Sequence, residues 1–140
     1  MTATFSSAAE FREVMDRTFA MMSADPVVGP QLRSADTPQR FEFPDLQMVV
    51  NIRSGGEGED NLTWEWTDEV PWEAKVRLTM SSETANRYFQ GKENMATAIA
   101  RRGIKASGDV SATLTIIPLT KPVFARYRQM IAADYPHLEV

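Results

Sequence analysis

Few side chains in this sequence could do chemistry, and their spacing argues against most reactions. His137 is the sole histidine and lies in a short polar tail, so a Ser-His-Asp triad or a multi-histidine metal site would have to be assembled from that tail. There is no cysteine, which removes disulfides, zinc-cysteine sites and thiol nucleophiles. Serine and lysine occur, but no strand-turn-helix nucleophile elbow surrounds them. The run Gly55-Gly56-Glu57-Gly58 fails as a phosphate loop, because it joins two strand patterns, no helix start follows it, and Glu57, Glu59 and Asp60 repel phosphate. Those acids also lack the ligand spacing of a calcium loop, so the run reads as a hairpin tip. Glu65 and Glu73 read as cross-strand partners of Lys75, Arg77 or Arg53 rather than as an acid-base pair. The expectation is a protein with no catalytic residue, metal or cofactor.

Charge and composition exclude further classes. Of 140 residues 43% are hydrophobic, the formal charge is -4 and the pI is near 5.0, so no basic nucleic-acid surface is expected. Arg101-Arg102 is the one adjacent basic pair, and it stands at a helix stop, where cations complement the helix dipole. The opening MTATFSSAAEFRE has no apolar signal core, and no apolar run approaches membrane-spanning length. A cytoplasmic protein is expected, with at most transient membrane contact. The length suits one domain over 1–140.

The elements follow from periodicity. Ser7-Ala8-Ala9-Glu10 has the capping-box pattern, and Phe11, Val14, Met15, Thr18, Phe19 and Met22 form one helical stripe that ends near Asp25-Pro26. The stretch 25–44 reads as a connector leading to a short strand at Phe41 and Phe43. Leu46, Met48, Val50 and Ile52 then alternate with Gln47, Val49, Asn51 and Arg53. Leu62, Trp64 and Trp66 alternate in the same way, as do Trp72, Ala74, Val76, Leu78 and Met80. Three consecutive strands with one apolar and one charged face predict an antiparallel sheet that is wet on one side. Helices from both ends of the chain must cover the other side. Ser81 starts one of them, and Thr120-Lys121-Pro122 starts another, whose apolar face is Val123, Phe124, Tyr127, Met130 and Ile131.

Between those helices the stretch 88–109, YFQGKENMATAIARRGIKASGD, is punctuated by three glycines. Gly91 stands where a left-handed residue would close a helix, Asn94 can cap the next one, Gly103 stops that one, and residues 104–107 fit a short strand before Gly108-Asp109. Gly91-Lys92, Ala98-Ile99, Ile104-Lys105 and Gly108-Asp109 fall in ungapped register with a motif of the sterol carrier protein type-2 family, which this stretch resembles. One position departs: the family's second glycine falls on Arg102 and its basic residue on Gly103, which puts the local turn geometry in question. For 110–117 the alternation of Val110, Ala112, Leu114 and Ile116 with Ser111, Thr113 and Thr115 favours a strand. The resemblance implies a helix there, and the expectation leans to helix.

The resemblance implies an α+β fold, with a mainly antiparallel four- to five-stranded sheet and helices that cover one face and enclose an apolar cavity. It also implies non-catalytic binding, and intracellular transfer, of a fatty acid, acyl-CoA, sterol or phospholipid. From the residues alone, Trp64, Trp66, Val76, Leu78, Met80, Phe89, Met95, Ile99, Phe124, Tyr127 and Ile131 fit a solid core better than a cavity; the resemblance makes them the expected lining. Lys92, Arg101 and Arg102 are the expected head-group contacts, with solvated helix-end charges as the competing reading. Two alternatives stand beside lipid binding: an accessory domain that hands apolar substrate to a separate enzyme, and a homodimeric interaction module with no ligand.

Overall fold

The computed structural model describes residues 4–54 and 61–140. The glycine-rich run at 55–60, including Glu57, Glu59 and Asp60, lies outside the described residues. The chain runs through α1 (Ala8–Ala24), α2 (Val28–Ala35), β1 (Gln39–Phe43), β2 (Met48–Ser54), β3 (Leu62–Glu65) and β4 (Val76–Thr79). It continues through α3 (Ser82–Phe89), α4 (Met95–Ala100), β5 (Lys105–Gly108), α5 (Val110–Thr120) and α6 (Phe124–Asp134). Four helix starts use the caps that their sequences offer. Ser7, Ser81, Asn94 and Asp109 accept, through their side-chain oxygens, from the backbone N–H groups of Glu10, Thr84, Thr97 and Ala112.

The five strands lie in the order β3-β2-β1-β4-β5, and every pairing is antiparallel except the parallel β1–β4 contact. The chain makes the β1–β2 hairpin first, adds β3 outside β2, then crosses to the free side of β1. Consecutive strands are therefore not all neighbours, as an uninterrupted antiparallel run would require. β4 begins at Val76 rather than at Trp72, so Trp72 and Ala74 belong to a loop. The β1–β4 register starts at Gln39 opposite Val76, and the residue before Gln39 is Pro38, which has no N–H to continue the ladder. The Pro38 carbonyl accepts from Lys75 and Val76 and closes the corner.

The connector expected at 25–44 contains a helix. Asp25-Pro26 does not only end α1, since Oδ1 of Asp25 accepts from the N–H groups of Val27 and Val28, both at 2.8 Å, and so starts the turn that becomes α2. The two N–H donors, that of Val28 foremost, hold the Asp25 carboxyl below its usual range, with Arg126 of α6 3.1 Å away adding to the effect. The sheet's outer face is not uniformly wet either. Asn51 points outward yet is 2% exposed, because the segment after β3 folds back and the Thr67 carbonyl accepts from its amide at 2.6 Å.

The segment 110–117 is helical, so the local alternation misleads. Gly108, at φ +81°, turns the chain out of β5, and a Cβ there would clash with the Lys75 carbonyl. Asp109 then caps α5, whose buried residues Thr113, Ile116 and Thr120 recur every three or four positions. The tail is also more than a polar overhang. Leu138 is fully buried, and Asn86 and Gln90 both donate to its carbonyl.

The exchanged Arg102-Gly103 pair has a definite geometry. The Arg102 N–H reaches the Ile99 carbonyl and the Gly103 N–H reaches the Ala98 carbonyl, a Schellman ending in which Arg102 takes the left-handed position at φ +61°. Gly91 fills the equivalent position after α3 at φ +77°. Arginine there forgoes about 1–2 kcal/mol relative to glycine. Arg102→Gly is therefore expected to raise stability by roughly 0.5–1 kcal/mol, after the larger entropy of the unfolded glycine chain is allowed for. A denaturant midpoint that falls in Arg102→Gly would contradict the assigned turn.

Candidate functional site

Between the inner face of the sheet and the helices lies an apolar cavity of about 70 Å³. Its floor is the inward-facing row of each strand it touches: Phe41 and Phe43 of β1, Ile52 of β2, Leu62 of β3, and Val76 and Leu78 of β4, with Met80 just beyond. These positions follow the two-residue period of a strand, which is why a purely alternating sequence supplies an apolar surface. Its walls are helical. α1 gives Met15, Phe19 and Met22, α2 gives Leu32, α3 gives Ala85, Tyr88 and Phe89, and α4 gives Met95. The fifth wall is α5, with Thr113, Ile116, Ile117 and Thr120. Four methionines and five aromatic rings give this lining a deformable, polarizable character.

Among the described residues, no charged side chain lines the cavity. Its polar atoms are the Gln39 amide and three hydroxyls. Tyr88 and Thr120 bond to each other at 2.6 Å, and Thr113 bonds back to the Asp109 carbonyl at 3.3 Å. Burial pushes the Tyr88 phenol above its ordinary pKa, an effect that the Thr120 hydrogen bond only partly offsets, so the phenol stays protonated at neutral pH. No nucleophile-base pair is present in this lining. Among the described residues, no group of three or more metal-ligating side chains converges anywhere in the fold.

The structure brings Val76, Leu78, Met80, Phe89 and Met95 together around the cavity. It sets the other expected lining residues elsewhere. Trp64 and Trp66 share the inner face but lie under α1, where both indole N–H groups donate to Oδ1 of Asp16, at 2.9 and 2.7 Å. Their rings pack edge-on against Phe19 and Phe11, and Arg12 stacks over Trp66. This arrangement fastens α1 to the sheet edge and holds the two largest side chains away from the cavity. Phe124, Tyr127 and Ile131 of α6 form a layer behind α3, with the Tyr127 ring against Phe89, and Ile99 is half-buried on the outer side of α4. Lys92, Arg101 and Arg102 are exposed and contribute nothing to the lining. Of the motif residues, Ala98 and Ile104 are buried, Lys105 is exposed, and Gly91, Gly108 and Asp109 set the turns.

Most of the lining is absent from the expected set, which contains five of the 20 residues around the cavity. Met15, Phe19 and Met22 were legible as a buried stripe, and Phe41 and Phe43 as a strand, but nothing local said that they face a void. Tyr88 is legible with Ala85 and Phe89 as one apolar helical face, but its pairing with Thr120 has no local signal, because the two hydroxyls meet only when α5 crosses over α3.

No protein-family model matches this sequence, and no curated protein matches it. Solved structures do. The sec-alkylsulfatase Pisa1 from Pseudomonas sp. superposes with a TM-score of 0.62 at 19% identity, over 75% of this chain and 16% of that one. The chain thus spans about one sixth of the sulfatase's length. UbiJ-SCP2, a ubiquinone synthesis protein, matches with a TM-score of 0.57 at 11% identity, over 85% of this chain and 94% of its own. The sterol carrier protein domain 2 of Helicoverpa armigera matches with a TM-score of 0.57 at 17% identity, over 90% of this chain and 96% of its own. The chain has the SCP2-like fold, α+β with a five-stranded, mostly antiparallel sheet. Among the described residues, no helix is long and apolar enough to cross a membrane.

Proposed function

We propose that this SCP2-like chain binds a lipid or similar apolar small molecule in the cavity between sheet and helices, without catalysing a reaction on it. One observation carries the reading: the interior holds an uncharged cavity walled by methionines and aromatic rings, at the place where a helix-on-sheet domain would otherwise be close-packed. That cavity also weighs against the solid-core dimeric module. Binding needs no chemistry, since each buried methylene contributes about 0.8 kcal/mol before the cost of ordering the chain.

The cavity is small for such a ligand, as pockets for drug-sized molecules run from about 300 Å³ upward. A wall must yield. α5 is the wall suited to it: it carries no charged residue, contains Pro118, which removes one helical hydrogen bond, and exposes Val110 and Leu114 to solvent. Native mass spectrometry of the purified protein, followed by organic extraction, is expected to show one bound lipid per chain. Amide hydrogen exchange over 110–120 is expected to slow when that lipid is restored to delipidated protein. A protein that carries nothing and takes up no fluorescent fatty acid or diphenylhexatriene would sink the reading.

A second reading has its own support. The sulfatase contains this fold as about one sixth of its chain, and UbiJ-SCP2 is described as a ubiquinone synthesis protein, so the same cavity would suit a module that presents apolar substrate to a separate enzyme.

A further inference from the structure

Among the described residues, the Tyr88–Thr120 pair is the one side-chain hydrogen bond that joins two walls of the cavity, and its hydrogen atoms can be assigned. Thr120 has a single hydroxyl proton, and its oxygen lies 2.9 Å from the Ile117 carbonyl, which can only accept. Turned to Tyr88 instead, that proton would leave the buried phenol proton with no acceptor among the described residues, so Thr120 donates to Ile117 and in the 2.6 Å contact between the two hydroxyls Tyr88 is the donor. The phenolic oxygen keeps its own acceptor capacity, with no donor directed at it from the described residues. Tyr88 is 7% exposed, so water serves it poorly, and a buried acceptor of this kind selects a ligand that donates.

A second observation restricts the ligand from the other side. Among the described residues no charged side chain lines the cavity, so an ionised head group drawn inside would lose its hydration without gaining a counter-ion there. A carboxylate would have to remain outside. A hydroxyl has no such penalty and supplies the donor that Tyr88 lacks.

We infer that the cavity selects a neutral ligand bearing a hydroxyl, a long-chain alcohol in chemical class, whose O–H donates to the phenolic oxygen of Tyr88 while Tyr88 donates to Thr120. This rests on the proposed binding function and adds to it the charge state and donor character of the ligand. The test uses 1-decanol, decanoate at pH 8 and diphenylhexatriene, an all-hydrocarbon probe, each titrated into delipidated full-length protein and into Tyr88→Phe. Tyr88→Phe leaves Thr120 bonded to Ile117, so no buried donor is stranded.

Decanol is expected to bind at least about tenfold more tightly than decanoate. In Tyr88→Phe the ratio of decanol to diphenylhexatriene affinity is expected to fall about three- to tenfold, as for the loss of one hydrogen bond. Equal affinity for decanol and decanoate, or an unchanged ratio in Tyr88→Phe, overturns the inference while leaving a binding cavity in place. Failure of all three probes to bind overturns the binding function itself, and the inference with it.

Discussion

Ala85→Leu is expected to abolish lipid uptake, with affinity reduced more than about tenfold, in a protein that stays folded and gains about 1 kcal/mol of stability. Ala85 faces the cavity from α3 and is 3% exposed. Leucine at this position keeps the helix, since its propensity is close to that of alanine, and adds apolar volume where about 70 Å³ is open. Filling a void restores dispersion contacts that the lining forgoes, so the sign of the stability change opposes the usual cost of overpacking. The opposite signs of the two effects make the result diagnostic: a substitution that damaged the fold would lower both. Thermal unfolding and diphenylhexatriene titration on the same preparation check it. Undiminished uptake in a stabilised Ala85→Leu would mean that the ligand binds elsewhere.

Asn86→Ala is expected to cost about 3 kcal/mol and to lower the melting temperature by roughly 10 °C. Asn86 is fully buried in α3 and joins three elements. Its Nδ2 donates to the Leu138 carbonyl at 2.8 Å, and its Oδ1 accepts from the Tyr127 hydroxyl at 2.7 Å and from Nε2 of Gln90 at 2.9 Å. Alanine would strand the Tyr127 O–H in a site where burial already holds the phenol protonated, and would weaken the hold on the tail, leaving Gln90 as the side chain that still bonds the Leu138 carbonyl. The two partners are coupled. Adding Tyr127→Phe to Asn86→Ala removes the stranded donor, so the double variant is expected to be less destabilised than the sum of the singles by about 1 kcal/mol. Strict additivity would mean that the network is not the source of the loss.

Both experiments probe contacts that no local reading could supply. Asn86 is a polar position of a helix, yet only Gln90 among its three partners is local; the other two are 41 and 52 residues away along the chain. Asp16 reads as solvent-facing for the same reason, although it holds Trp64 and Trp66 from 48 and 50 residues away. Inward facing was legible for the tryptophans; the helix that would cover them was not. The α2 helix was missed because Asp25-Pro26 serves both as an ending and as a beginning, and only the side-chain cap to Val27 and Val28 distinguishes the two.

By itself the sequence determined whatever depends on neighbours a few residues apart. Ser7, Ser81, Asn94 and Asp109 are caps because a short side-chain oxygen meets an N–H three residues on, and β1, β2 and β4 have an apolar face because side chains alternate. The turn glycines at 91 and 108, and the absence of any cysteine or clustered histidine, belong to the same class. Tertiary structure alone decided depth and partnership. Leu62 and Trp64 face the same side of one strand, yet Leu62 reaches the cavity while Trp64 is pinned beneath α1. The parallel placement of β4 beside β1, and the crossing that brings Thr120 to Tyr88, are set by how layers pack. Periodicity fixes the direction in which a side chain points, whereas the surface it meets is brought there by another part of the chain.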